Sequence, residues 1–543
     1  MMWRRLTALA CTWLLGAAHG VALAQQRPPT FRSRTVVTEL EVHVTDAAGQ
    51  PVTGLGRDDF VVREDDVAQV LIGVDAPDRS LGSPQAAAGT APSGPADLVP
   101  PEAGVVRATN RHGTRARAWV LLVDDLRTPG FLREQMKACV LALVEGVAPD
   151  DWLALVPTSG DRRAAREFTR DRGALREAIA ALRFTREFDG QRVPVFAGTL
   201  EHQRELVGGP PPLAPPRLDL TSADNLLISS VGNAASMLGR ASTARGTMVL
   251  VTRGMGVALT DDHRRALQGA GSGSELARYD EWRETLVRVQ RSGVTVHVVD
   301  PTAFDEGLAR RVNAADRLVG PTARMHEFVT SDDPRAATRV IARESGGVYV
   351  SERQPDLAAR RVVQAASGGY VLRYIPPDDA LDDRLRSVTV QVRRPGVTVR
   401  VRSSYARVSD PQFERLRDEK PLGVAVAAVV PSNAIGLEAA GRLVAKGKRT
   451  SVTLALTAVD APGVPLPPRD ILEVLAVVVD MKGKTVAKDG GRAKVVAHDA
   501  TLTPPDLVFE PLKPGRYQLR VAVRSVALDR TGSVFLDLDI PKP

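Results

Sequence analysis

The chain is short of cysteine, aromatics and long apolar runs, and each shortage excludes something. Cysteine occurs twice in 543 residues, as Cys11 and Cys139. Two thiols, one of them in the N-terminal leader, cannot build a disulfide framework. Aromatic residues make up 4% of the chain. Trp119, Trp152 and Trp282 fall on expected strands or a helix, so they read as core packing and not as a sugar-binding platform. His43, His112, His202, His263, His297, His326 and His498 are scattered, with no H-E-x-x-H and no paired Cys/His ligands. Neither G-x-S-x-G nor a P-loop occurs. Gly271-Ser272-Gly273-Ser274 has flexible-loop composition and is not a phosphate cradle. Asp261-Asp262-His263 reads as a helix start, not as part of a triad. By motif, then, the chain is not an enzyme of a recognisable class.

What is present begins with a leader. Arg4 and Arg5 precede an apolar run from Leu6 to Leu15, and Ala22-Leu23-Ala24 is an A-x-A cleavage site. Residues 1–24 are therefore expected to be a signal peptide, and the product to be secreted, periplasmic or part of the cell envelope. The run is short of the ~20 apolar residues a membrane helix needs, and no later segment reaches that length. Net charge is +8, and the arginines are dispersed without a nucleic-acid-binding motif, so nucleic acid is not the expected partner. Cys139 falls on the apolar face of an expected helix and reads as a buried structural thiol.

The rest divides by pattern. In residues 31–78, alternating Val36, Leu40, Val42 and Val44 and the turn at Asp46–Pro51 give a small β-module, too small to stand alone. A last strand there is expected from Gln69 to Val74. Residues 79–116, rich in Pro, Gly, Ala and Ser, read as a linker. Across 117–376, strands alternate with helices. Ala118–Val123 is continuously apolar, as in a strand covered on both faces. Leu132, Met136, Cys139, Val140, Leu143 and Val144 mark one buried helical face. Further strands are expected at Trp152–Val156, Thr247–Thr252 and Val294–Val299, and helices near 226–238, 276–289 and 354–366. Asp332 or Asp333 with Pro334 marks another helix start. The expected class is thus α/β, a doubly wound and mostly parallel sheet. A β-hairpin extension follows at 377–410, and a β-sandwich-like domain at 420–543.

The order of several short stretches is similar to a known family. Val44-Thr45-Asp46 with Gly49–Leu55, Val120–Asp125, Val249–Thr252, Gly293–Val296 with Asp300-Pro301, Ser345-Gly346-Gly347 and Tyr370–Pro376 occur in sequence. The segment 117–376 resembles a von Willebrand factor A domain. Residues 31–405 resemble the exported bacterial VWFA-related family. The resemblance implies a divalent-cation site at the strand ends, built on D-x-S-x-S, a middle-loop Thr and a later Asp. Hard cations such as Mg²⁺ take such oxygen ligands. Here the first motif reads Asp124-Asp125-Leu126-Arg127-Thr128. Asp124 and Thr128 match, and Leu126 replaces a Ser. Thr221 or Ser222 stands for the Thr, and Arg253 falls where the final Asp belongs.

A guanidinium there repels a cation, pairs with Asp124, or itself meets an acidic partner. The expected site is therefore degenerate, with Asp124, Thr128 and Thr221 as its weak metal set and no resident cofactor. Asp125 and Asp300 read as turn or helix caps. The resulting expectation is a non-catalytic binding or adhesion protein with a protein partner. A metal-assisted hydrolase with an unrecognised site and a purely structural envelope component are the alternatives.

Overall fold

The computed structural model describes residues 37–76, 104–110, 117–184, 223–239, 245–257, 273–307, 335–406, 418–460, 465–480 and 484–541, apart from positions 129, 162, 306, 368, 377, 379–381, 383 and 429. The expected signal peptide, the expected helix starts at Asp261-Asp262-His263 and Asp332–Pro334, and Thr221 and Ser222 lie outside these residues.

The balance of structure overturns the expected fold class. Among the described residues strand outweighs helix, 44% to 28%. Four of the five sheets are wholly antiparallel. Parallel pairing is confined to one mixed sheet, so a doubly wound parallel α/β architecture does not describe the chain. The physical reason lies in the flanks of 117–376. There, alternating side chains and short turns favour antiparallel ladders, and they supply most of the strand structure.

The N-terminal strands, Thr38–Thr45 (β1), Phe60–Glu64 (β2), Val67–Gln69 (β3) and Leu71–Asp75 (β4), are completed by late ones. These are Gly369–Tyr374 (β12), Leu385–Val392 (β13), Thr398–Arg400 (β14) and Ser404–Ala406 (β15). Two four-stranded sheets result, β14-β1-β12-β4 and β15-β13-β2-β3. The segment read as a hairpin extension thus belongs to the same sandwich as the opening module. The strand expected from Gln69 to Val74 is divided, because the chain changes sheets at exposed Val70. Leu40, Val42, Phe60, Tyr370 and Leu372 fill the core. Buried Glu64 accepts 2.7 Å bonds from the Tyr374 and Tyr405 hydroxyls. Arg386, fully buried, ion-pairs with Asp382 at 2.9 Å.

The mixed sheet comprises Arg117–Val123 (β6), Trp152–Pro157 (β7), Arg166–Thr169 (β8), Arg245–Val251 (β9), Thr295–Val299 (β10) and Tyr349–Val350 (β11). Its order is β11-β10-β9-β6-β7-β8, with only β8 antiparallel to its neighbour. Arg133–Gly146 (α1), Arg172–Ala181 (α2) and Pro355–Ala366 (α6) share a core with one face. Ala223–Gly239 (α3), Gly273–Ser292 (α4) and Arg335–Glu344 (α5) share one with the other. Covered on both sides, β6 is buried at every position. The expected helical face is buried: Met136, Cys139, Val140, Leu143 and Val144 point inward on α1. Burial pushes the Cys139 thiol up to about 12, which suits a packing role and not a nucleophile.

A second sandwich closes the chain. One sheet holds Gly436–Lys446 (β16), Arg449–Val459 (β17), Thr501–Leu502 (β20) and Leu507–Leu512 (β21), and the other Arg469–Asp480 (β18), Thr485–Val496 (β19), Gly515–Ser525 (β22) and Arg530–Ile540 (β23). Val105–Thr109 (β5), inside the stretch read as linker, pairs with β16. Asn110 fixes that return: its amide donates to Ile435 O at 2.9 Å and accepts from Leu437 N at 2.6 Å. Phe535 of β23 reaches the core beside the mixed sheet and meets Trp152 edge-on, with centroids 5.8 Å apart.

Candidate functional site at the strand ends

Central strands of a parallel sheet point their carboxyl ends at one face, and residues just past those ends are the first to escape strand geometry. Here β6, β9 and β10 end in Asp124, Thr252 and Asp300. Asp124 stays between the strands through its own amide, which donates to Val251 O at 3.0 Å. Its side chain is fully buried. One carboxylate oxygen accepts from the Thr252 hydroxyl at 2.7 Å. The other accepts from Arg127 N at 3.1 Å and, at longer range, from the Thr158 hydroxyl. Burial holds the Asp124 carboxyl above the usual carboxylate range, against the opposing Thr252 bond and Arg127 charge.

Asp125 turns toward the loop after β7. It accepts from Ser159 N at 2.8 Å, from the Thr158 hydroxyl at 3.1 Å, and from the Ser159 hydroxyl. Burial pushes it up to about 6. Thr128 spends its hydroxyl on the Asp124 carbonyl at 2.6 Å, closing the turn that leads to α1. Leu126, where the resemblance places a hydroxyl, is buried and apolar. Asp300 caps a short 3-10 turn, accepting from Thr302 N at 2.9 Å and from the Thr302 hydroxyl at 2.6 Å, and the Tyr349 hydroxyl adds a bond at 2.7 Å.

Arg253 does not join Asp124. It is exposed, and among the described residues it makes no ion pair. The cation beside Asp124 is Arg127, from the loop after β6. Its guanidinium pairs with Asp224 at 2.6 Å and also donates to the Gly254 carbonyl. Asp224, at the start of α3, accepts a further bond from Gly256 N at 2.9 Å. One salt bridge therefore ties together the loops after β6 and β9 and the first turn of α3. Thr158, Ser159, Thr252, Arg127 and Asp224 all act here without having been singled out from sequence. Arg127 lay within the quoted motif, but its spacing carried no sign that it would replace Arg253.

These donors bear directly on whether a cation fits. Asp124 is engaged by a hydroxyl and an amide of the chain itself, and Thr128 faces the backbone. Among the described residues no group of three or more His, Cys, Asp or Glu is placed to hold a metal ion. No histidine stands among the groups that bond Asp124 or Asp125. The residues present thus form a buried, internally bonded cluster, with two arginines on the adjoining loops, one tied back to Asp224 and one exposed.

The amino ends of the same strands differ. Arg117 begins β6 and bonds Glu41 of β1 at 2.7 Å and the Ala366 carbonyl. Its amide and the Trp119 indole both donate to Asp151, each at 2.8 Å. Arg400 donates to the carbonyls of Gly346 and Ala365, and burial lowers it to about 10. His297 is fully buried on β10, and its Nδ1 accepts from Val348 N at 3.2 Å. Burial first, then Arg400, His43 and Arg117, hold its pKa well below the ordinary value. Compared with known proteins, the chain matches no family model and no curated protein.

Proposed function

We propose that the protein is an exported, non-catalytic binding protein that meets an acidic protein partner at the strand-end face, without a bound metal. One observation carries this reading. Asp124 and Asp125 are saturated by the chain's own donors, while Arg127 and exposed Arg253 stand on the loops just past the carboxyl ends of β6 and β9. The face therefore offers charge to a partner through guanidinium groups, which bind carboxylates in a planar, two-point geometry. Arg253 is the first contact. Arg127 becomes available when an incoming carboxylate takes the place of Asp224.

A glutamate-rich fluorescent peptide serves as the probe for this reading, titrated into the full chain at low salt and followed by anisotropy. The expected result is binding that EDTA and added Mg²⁺ leave unchanged and that Arg127→Gln with Arg253→Gln weakens at least tenfold. Binding that needs Mg²⁺, or that survives loss of both arginines, overturns it.

A further inference from the structure

The closing sandwich has an end at which three turns converge. β16 and β17 join through Lys446-Gly447-Lys448-Arg449, with Lys446 and Arg449 directly paired. β21 runs antiparallel to β17 and brings Leu512 opposite Thr450, so Lys513 lies next to that turn. The Arg449 side chain reaches the Pro511 carbonyl at 3.4 Å. β22 starts two residues after Lys513, and its Tyr517 pairs with Asp480, the last residue of β18. Lys484 is held at this point, its amide on the Asp480 carboxylate at 3.0 Å. Lys446, Lys448, Arg449, Lys484 and Lys513 thus crowd one tip, and all five are exposed.

Two features set this tip apart from ordinary solubilising lysines. Among the described residues, none of Lys446, Lys448, Lys484 and Lys513 makes an ion pair, although surface ion pairs are common elsewhere in this molecule. The carboxylates at this end are few. Asp480 is used by the Lys484 amide, and Asp171 and Asp537 in the adjoining pocket accept from Ala174 N and the Gln518 amide, so exposed Glu510 and Asp539 are the carboxylates that face the five cations most directly. Beside the lysines stand two exposed apolar side chains, Val444 on β16 at 44% and Val486 on β19 at 42%. Unpaired lysines around small apolar side chains match the chemistry of an anionic lipid surface, where ammonium groups meet phosphates and short apolar groups enter the headgroup layer.

We infer that this tip docks the protein peripherally on an anionic lipid surface. The inference is independent of the strand-end reading, since the tip shares no residue with that face. Each lysine near such a surface contributes about 1 kcal/mol, roughly fivefold in partition. The test is co-sedimentation of the full chain with vesicles of phosphatidylglycerol in phosphatidylcholine, against phosphatidylcholine alone.

The expected result is binding to the anionic vesicles only, abolished by 0.5 M salt. A variant carrying Lys446→Glu, Lys448→Glu, Lys484→Glu and Lys513→Glu should lose at least a hundredfold, while the four Lys→Arg replacements retain binding. The replaced side chains are exposed, and equal melting temperatures of the two variants confirm that both fold. Equal binding to both vesicle types, or undiminished binding by the Glu variant, overturns the inference. So does retention on an anionic polysaccharide with none on phosphatidylglycerol vesicles.

Discussion

The two ends of the mixed sheet bury opposite charges and solve the problem in opposite ways. At the carboxyl ends, Asp124 and Asp125 are met by hydroxyls and amides from the loops after β6, β7 and β9. At the amino ends, Arg117 and Arg400 are met by carbonyls and by Glu41 from the N-terminal sandwich. Neutral donors leave each carboxylate dependent on the loops just past its own and the neighbouring strands. Carbonyls at the ends of α5 and α6 and a carboxylate from β1 make the arginines the join between two parts of the chain. One end is therefore satisfied locally, and the other is committed to holding two parts of the molecule together.

That contrast predicts where damage is greatest. Arg117→Met removes the bond to Ala366 O and deprives half-buried Glu41 of its guanidinium partner. Breaking such a pair from one side costs about 3–5 kcal/mol. Urea unfolding should show that loss, and a loss under about 1 kcal/mol would mean the join is made elsewhere.

The next effect is one of sign. Asp125 is raised to about 6 in the folded chain, above its unfolded value near ~3.9. Its stabilising contribution is full below the unfolded value and lost as pH rises through 6, on the order of 3 kcal/mol at most. His297 is depressed below its ordinary value, so its contribution is present above about 6.5 and lost as pH falls from there. The two ends therefore oppose each other in the mildly acidic range. Asp125→Asn should unmask a fall in melting temperature on acidification, and His297→Gln a fall on raising pH. Each variant thus isolates the sign contributed by the other group. Identical slopes in both variants would break the comparison. A smaller effect follows from Thr252→Val. It removes a hydroxyl from Asp124 while nearly keeping shape, and should cost about 1–3 kcal/mol, more at neutral than at acidic pH.

How much of this was legible in the sequence varies with the kind of force involved. Continuous apolar strands and a helical stripe report burial directly, so β6 and the inner face of α1 were visible residue by residue. The fold class was not. It depended on how much of the chain lay in antiparallel sheets, and several of those strands carry no apolar pattern. β19 reads Thr-Val-Ala-Lys-Asp-Gly-Gly-Arg-Ala-Lys-Val-Val and looks like a loop, yet it is a twelve-residue edge strand whose outer side faces water. β5 was hidden in a Pro- and Ala-rich stretch because its partner, β16, lies more than three hundred residues on. At the strand ends, sequence singled out Asp124, and the structure places it, fully buried, among hydroxyl and amide donors of the neighbouring loops. It placed the neighbouring cation at Arg253, and the structure places it at Arg127. Motif spacing aligns backbone positions and does not say which of two nearby arginines a distant Asp224 will capture.

The smallest predicted effect bears most directly on that substitution. If a positive charge at 253 were what keeps a cation away from Asp124, Arg253→Asp should restore a site. The geometry argues otherwise. Asp124 would still be occupied by Thr252 and the Arg127 amide, Thr128 would still face the Asp124 carbonyl, and Arg127 would still bring its charge to bear on Asp124. Arg253 is exposed and without an ion pair among the described residues, so its replacement should change stability by no more than about 0.5 kcal/mol. Calorimetric titration of Mg²⁺ and Mn²⁺ into the variant should show no binding gained. Adding Arg127→Ser to the same variant removes the charge that remains and supplies a hydroxyl, so any cation affinity should appear only in the double variant. Binding by Arg253→Asp alone would show that Asp124 can leave its donors freely, and the distinction between a saturated carboxyl end and a load-carrying amino end would lose its basis.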